Sequence, residues 1–317
     1  MKSCIIYMSC KRDLPLLYRS LCFLFKNYKF VNMSDVIVLH DDITKSDIAN
    51  LQVSLHQTIG YIPKIKFETL EFLCPQNLQF EEKYYKVSLN EFWMGYRHMC
   101  RYHSGLLYKD DRFKNYDYYL RLDSDSYIYS EINWNIFEYM ENNNFSYAYM
   151  KDEDREVPRV AEDLWEETKS FIDSNKNLVL HSFYERLVDN KWDYTLYYTN
   201  FEIAKFDFFR SNSYMSYFEH LDKTNKFFYN RWGDAPIHWL GVNMFLEPSK
   251  ILKVDNICYQ HNNWIKNLSS LKNKKIEKWA YDLIDGHENA KGSRKHRFVY
   301  AMNRYYQTGI DGVNWGD

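Results

Sequence analysis

The feature that most constrains this chain is the order of strand and helix signals over its first third. A short apolar run, Ser3 to Ser9, is followed by Asp13 and then by Leu14, Leu17, Leu21, Leu24 and Phe25 at helical spacing. Asp13 is placed to cap that helix. Val36-Ile37-Val38-Leu39 reads as a buried strand ending in His40-Asp41-Asp42. Residues 44 to 58 carry a helical pattern and residues 65 to 72 an alternating one. Leu89 to Leu107 reads as a further helix, with Leu89, Phe92, Trp93, Tyr96, Met99 and Cys100 on one face. Tyr118 to Tyr129 reads as a strand, or a strand pair, broken at Asp123-Ser124-Asp125. Strands alternating with helices bury their apolar faces as an α/β fold, a mostly parallel sheet flanked by helices. Ligands of such sheets bind beyond the carboxyl ends of the strands. Asp41-Asp42 and Asp123-Ser124-Asp125 both fall at such ends.

The later part is less regular. Val160 to Ile172 has helical spacing, Asn200 to Phe209 and Tyr214 to Leu221 are aromatic segments, and Lys272 to Lys278 is a charged run read as a solvated helix face. With 10 Gly and 6 Pro in 317 residues, no linker offers a boundary, and one compact domain over residues 1–317 is expected.

Hydrophobic residues make up 45% of the chain, enough for a sizeable core. A formal net charge of −2 gives no electrostatic case for nucleic acid or an anionic membrane. The apolar run at the N-terminus is too short for a signal sequence or a membrane span, and no later run is long enough. The expectation is a soluble, cytoplasmic protein. None of the six cysteines forms a Cys-x-x-Cys pair, which argues against zinc and for buried free thiols. The 29 Tyr and 21 Phe would suit sugar surfaces, but a composition bias shared with Asn and Lys accounts for them equally well. The glycine signatures of dinucleotide-binding, phosphate-loop and α/β-hydrolase enzymes are absent.

Five residues carry chemistry. Asp123 and Asp125, one residue apart, project to the same side of an extended chain, and two adjacent carboxylates call for a cation. Oxygen ligands suit Mn²⁺ or Mg²⁺, which also bind phosphates; the alternative is a polar turn. Asp234, in Trp232-Gly233-Asp234-Ala235-Pro236, is either a proton acceptor for a hydroxyl or a turn residue. Glu202, in an apolar setting, is a functional carboxylate or a surface acid. His261 is a metal ligand or a core histidine.

Four segments, taken in order, resemble glycosyltransferase family 15, the fungal Golgi α-1,2-mannosyltransferases. Tyr96-Arg97-His98-Met99-Cys100-Arg101 resembles the family's Tyr-Arg-His-Met-Cys-Arg block, and Tyr118-Tyr119-Leu120-Arg121-Leu122-Asp123 its Tyr-Trp-Arg-Val-Glu strand. Asn200-Phe201-Glu202-Ile203-Ala204 matches Asn-Phe-Glu-Ile-Ala, and the segment Phe227 to His238 matches the block around Arg-Trp-Gly-Asp-Ala-Pro. The resemblance implies a GT-A-like fold, GDP-mannose as donor, Mn²⁺ as the metal, a glycan or glycoprotein acceptor, and retention of configuration. It implies that residues 1–130 form a nucleotide-sugar-binding half and 131–317 an acceptor and catalytic half. Carried over by position, Asp123 and His261 hold the metal; Asp125, this sequence's own addition to the pair, is expected beside the metal and cofactor, as a ligand or next to one. Glu202 is the carboxylate read as a nucleophile or electrostatic stabiliser, and Asp234 serves the acceptor. Arg97 and Arg101 are placed to meet a diphosphate or to pair with nearby acids. Asp123-Ser124 stands where the family has Glu-Pro, Asn262-Asn263 where it has Pro-Pro, and Cys10 where it has an Arg.

Overall fold

A computed structural model describes residues 1–88, 94–152, 154–262, 264–271 and 312–314. The strands are β1 (Ser3–Met8), β2 (Asp35–His40), β3 (Ile65–Thr69), β4 (Tyr118–Leu122), β5 (Ser126–Ile128), β6 (Tyr147–Tyr149), β7 (Phe201–Lys205), β8 (Ile251–Lys253), β9 (Tyr259–His261), β10 (Trp264–Lys266) and β11 (Gly312–Asn314). The chain divides into two compact units.

The first unit comprises Cys4–Leu70, Arg121–Tyr139 and Val254–Asp317. Its β1 and β2 run parallel, with Ile6 opposite Ile37, and β2 and β3 run parallel, with Val38 opposite Phe67. Continuous apolar runs suit strands covered on both faces: Cys4 to Tyr7 and Val38 to Leu39 are fully buried. The connection from β1 to β2 is α1 (Leu14–Asn27), which buries Leu17, Leu21 and Leu24 as its spacing requires. Asp13 does not cap it with its side chain. Its carboxylate is instead taken by Cys10 Sγ at 3.3 Å and Arg12 Nε at 3.2 Å. The next connection is α2 (Lys45–Ile59), opened by a reciprocal Thr44–Asp47 capping box and closed by Gly60 at φ 89°. A second sheet is antiparallel, in the order β11-β10-β9-β5.

The second unit comprises Met1–Ser3, Glu71–Leu120 and Met140–Lys253. Here β7, β6 and β8 lie side by side; β6 is antiparallel to β7, with Tyr149 opposite Glu202, and parallel to β8. Within the described residues the expected helix over 89–107 appears as α3 (Met94–Arg101), followed by a π-helical turn at Tyr102–Leu106. That turn lets Gly105 lie against the ring of Phe218, where a Cβ would fall 2.2 Å from a ring carbon. The helix Asp234–Phe245 is buried almost all round, and Gly241 within it rests against the Tyr214 ring. Many of the tyrosines are core residues: Tyr108, Tyr119, Tyr147, Tyr214 and Tyr217 are 5% exposed or less. The charged run Lys272 to Lys278 lies outside the described residues.

Candidate active site

The break in the strand signal at Asp123-Ser124-Asp125 is a tight bend between β4 and β5. Ser126 closes it: its backbone N–H donates to Asp123 O at 3.0 Å, and its hydroxyl accepts from Asp123 N at 3.0 Å. β5 then pairs with β9 so that Ser126 faces His261. This register carries His261, more than 130 residues further along the chain, onto the two aspartates. Its Nε2 lies 3.1 Å from Asp125 Oδ1 and 3.6 Å from Asp123 Oδ2. Arg121 Nη2 approaches the other oxygen of Asp123 at 3.5 Å.

The electrostatics follow from this crowding. Burial works to lower the His261 pKa, but the Asp125 charge and the hydrogen bonds to both aspartates outweigh it and lift the imidazole to about 9. Burial works to raise the Asp123 carboxyl, but Arg121 and then His261 overcome it and hold it below the usual range. An imidazolium thus stands where the two carboxylates demand positive charge.

Among the described residues no three His, Cys, Asp or Glu side chains form a ready coordination cage. The donor set nevertheless fits a divalent ion. Two carboxylates and an imidazole supply oxygen and nitrogen, and adjacent ligands around an octahedral ion bound at about 2.1 Å are roughly 3 Å apart, close to the separations at His261. The ion would replace the imidazolium proton as the counter-charge.

The second unit holds the other candidates. Asp234 opens the helix Asp234–Phe245, is 4% exposed, and accepts a hydrogen bond from Thr199 Oγ1 at 2.8 Å. Glu202, on β7, is 1% exposed. Tyr119 Oη donates to its Oε1 at 2.5 Å, Tyr147 Oη donates to its Oε2 at 2.7 Å, and His238 Nδ1 lies 2.6 Å from Oε2. It is neither a surface acid nor open to solvent.

Arg97 and Arg101 are engaged within the protein. Arg97 is fully buried and donates to the backbone carbonyls of Phe228, Val87 and Ser88. Arg101 grips Asp222 through two bonds, Nε to Oδ1 at 2.6 Å and Nη2 to Oδ2 at 2.8 Å. That is the acid-pairing alternative open to a helical arginine.

Sequence reasoning missed several neighbours. His238 closes the matching block around Asp234 and sits one helical turn beyond it, so its place in a motif was visible but its partner was not. Glu156 stands in the acid-rich run Asp152-Glu153-Asp154-Arg155-Glu156, where nothing singles it out. Burial raises its carboxyl above the usual range; a bond from Val157 N–H and the charge of Arg231 oppose the shift, and the charge of Asp234 adds to it. Arg231 lies 3.8 Å from Glu156 and stacks over the Tyr96 ring at 4.4 Å.

Comparisons with known proteins show the family and the fold. A family model described as glycolipid 2-alpha-mannosyltransferase matches residues 21–278. Glycolipid 2-alpha-mannosyltransferase 2 of Candida albicans is 34% identical over 246 residues, covering 74% of this chain and 52% of that protein. The probable mannosyltransferase KTR3 of Saccharomyces cerevisiae is 31% identical over 241 residues, covering 72% of this chain and 59% of that protein. The chain therefore spans about half the length of these curated relatives. The crystal structure of core-mannan synthase A (CmsA/Ktr4) from Aspergillus fumigatus, in its Mn/GDP form, superposes with a TM-score of 0.75 at 25% identity, covering 84% of this chain and 76% of that one. The GT-A-like fold expected from the sequence is the fold found. Among the described residues no helix is long and apolar enough to cross a membrane. With a family model matched over most of its length, the chain belongs to glycosyltransferase family 15, the glycolipid 2-alpha-mannosyltransferases.

Proposed function

We propose that this chain is a metal-dependent retaining mannosyltransferase that moves mannose from GDP-mannose to a hydroxyl of a glycan or glycoprotein acceptor. The observation that carries the reading is the convergence of Asp123, Asp125 and His261 through the β5–β9 register. Relatives named as mannosyltransferases, and a similar structure named as a Mn/GDP form, support it. Residues 1–317 act as one functional domain in this proposal, although His261 from the later part of the chain joins Asp123 and so crosses a division at residue 130.

Asp123 and His261 are the residues that would hold Mn²⁺, with Asp125, whose carboxylate faces the same His261 Nε2, as a further oxygen donor beside them. When bound, the ion supplies positive charge against the negative charge that develops on the diphosphate as the glycosidic bond breaks. Asp234 is assigned to the acceptor: its carboxylate, fixed by Thr199, accepts the hydrogen bond of the attacking hydroxyl and takes its proton. For Glu202, burial and three hydrogen bonds favour a fixed role over a covalent one, so retention proceeds without a glycosyl-enzyme intermediate. Arg97 and Arg101 hold the surrounding backbone and Asp222 rather than the diphosphate. Six free thiols, four of them buried, suit a reducing compartment, and a cytoplasmic location is part of the proposal.

The test incubates the protein with GDP-mannose, Mn²⁺ and methyl α-mannoside, and follows GDP release and the configuration of the product. Turnover should require the ion, give an α-linked product, and fall by about 100-fold or more in Asp123→Ala. Undiminished turnover in EDTA, or in Asp123→Ala, would overturn the proposal. Faster turnover of a UDP-linked sugar would overturn the donor assignment.

A further inference from the structure

Asp234 and His238 stand one turn apart on the same face of the helix Asp234–Phe245. Both are tied to the segment that leads into and forms β7. Thr199 donates to Asp234 at 2.8 Å, and Glu202 meets His238 at 2.6 Å. The first turn of the helix, with Asp234 on it, is therefore held to that segment at two points.

The second tie is part of a closed circuit. His238 Nε2 faces the carbonyl oxygen of His103 at 3.1 Å and the Tyr108 hydroxyl at 3.3 Å. A carbonyl has no proton to give, so Nε2 carries one. The Tyr108 hydroxyl lies 3.1 Å from that of Tyr119, which donates to Glu202 Oε1 at 2.5 Å. From His238 there are thus two routes to the carboxylate, one direct and one through two tyrosines. The one Nε2 proton is shared between the His103 carbonyl and the Tyr108 hydroxyl, and Tyr147 adds a further donor to Glu202 at 2.7 Å. His238, Tyr119 and Tyr147 are fully buried, and Glu202 is 1% exposed. A buried polar network is tolerated when its hydrogen-bonding capacity is met in this way, and it is strongly disrupted when one partner is removed.

A carboxylate that attacks an anomeric carbon must present a lone pair to the substrate. Glu202 is 1% exposed, and its oxygens are already engaged within the protein, Oε1 by Tyr119 and Oε2 by Tyr147 and His238. We infer that Glu202 and His238 are a positioning pair: Glu202 acts through His238 to fix the helix turn that presents Asp234, and it does not bond to the sugar. The inference rests on the mannosyl-transfer reading and gives that site its internal support.

The experiment uses the full chain with GDP-mannose, Mn²⁺ and methyl α-mannoside, at a temperature well below the Tm of every variant. An Asn side chain places an amide donor near the position of imidazole Nδ1, so His238→Asn keeps a bond to Glu202 while His238→Leu does not. Glu202→Gln and His238→Leu should each lower kcat/KM for the acceptor by roughly 100-fold, as a misplaced reacting group does. His238→Asn should recover at least about tenfold over His238→Leu, which loss of packing alone would not produce. The double variant Glu202→Gln/His238→Leu should be no slower than the worse single one, because both changes break one circuit. Multiplying effects in the double variant would overturn the inference. So would β-mannosyl azide formed by Glu202→Ala with added azide. If Glu202→Ala does not fold, rapid quenching of the wild type answers the same question: a peptide bearing a mannosyl group on Glu202 overturns the inference, and its absence during active turnover supports it. A wild type inert toward GDP-mannose and Mn²⁺ would instead overturn the underlying reading of function.

Discussion

Replacing Arg97 with Met separates two roles that this arginine could fill, support of the backbone or contact with a diphosphate. Arg97 is fully buried, and its guanidinium donates to the carbonyls of Phe228, Val87 and Ser88, the last two at 2.8 and 3.1 Å. Burial holds the guanidinium below its usual pKa, a sign of how much hydration it has lost. Met fills most of the same volume but leaves three carbonyls without their donor. A hydrogen bond from a charged group contributes about 1.5–3 kcal/mol, and a buried acceptor left unpaired costs about 1–3 kcal/mol. Relief from burying the charge offsets part of this, so the net loss is about 3–5 kcal/mol. Unfolding entropy near 60 °C scales to about 0.7 kcal/mol per kelvin for a chain of this length, so a loss of about 4 kcal/mol lowers Tm by about 6 °C. Differential scanning calorimetry measures the shift, and isothermal titration with GDP and Mn²⁺ below the new Tm measures binding. The expected result is a clear loss of Tm with a GDP Kd within about threefold of wild type. An unchanged Tm with GDP affinity lost would refute the reasoning and put Arg97 on the diphosphate.

Two further outcomes test the fold around the same unit. Gly105→Ala forces a methyl group to within 2.2 Å of the buried Phe218 ring and should cost about 3 kcal/mol of stability in urea unfolding; an unmoved midpoint would mean that the π-helical turn is not packed as described. Burial, aided by the charge of Arg101, lowers the His98 pKa to about 4, so the folded protein resists a proton that the unfolded chain accepts near 6.5. His98 therefore contributes stability that is fully present above about pH 6.5 and is lost as pH falls toward 4, up to about 3 kcal/mol. Urea midpoints of wild type and His98→Gln between pH 7 and pH 4 should converge as the pH drops; parallel curves would show that His98 is not held neutral.

Local pattern carried the sequence reading a long way. Leu17, Leu21 and Leu24 lie buried on one helix because their spacing admits little else, and the run Val36 to Leu39 became a strand in a parallel pair. The bend at Asp123-Ser124-Asp125 broke the strand where the carboxylates stood. The Asp13 cap failed for a reason equally local in distance but dependent on conformation: a short 3-10 turn precedes the helix, and the carboxylate turns to Cys10 and Arg12.

What the sequence alone determined, then, was the order of the elements and the residue types at their ends. Periodicity and turn chemistry act over a few neighbours, and each side chain votes for the face it can bury. The tertiary structure alone decided the partners. Asp123 and Asp125 become a cation site only because β5 and β9 pair in a register that sets His261 opposite Ser126. Glu202 finds its buried partner only because the helix Asp234–Phe245 packs His238 onto it across 36 residues of sequence. No local pattern encodes such a meeting: taking polar groups out of water is costly, and only partners that the closed chain brings together offset that cost.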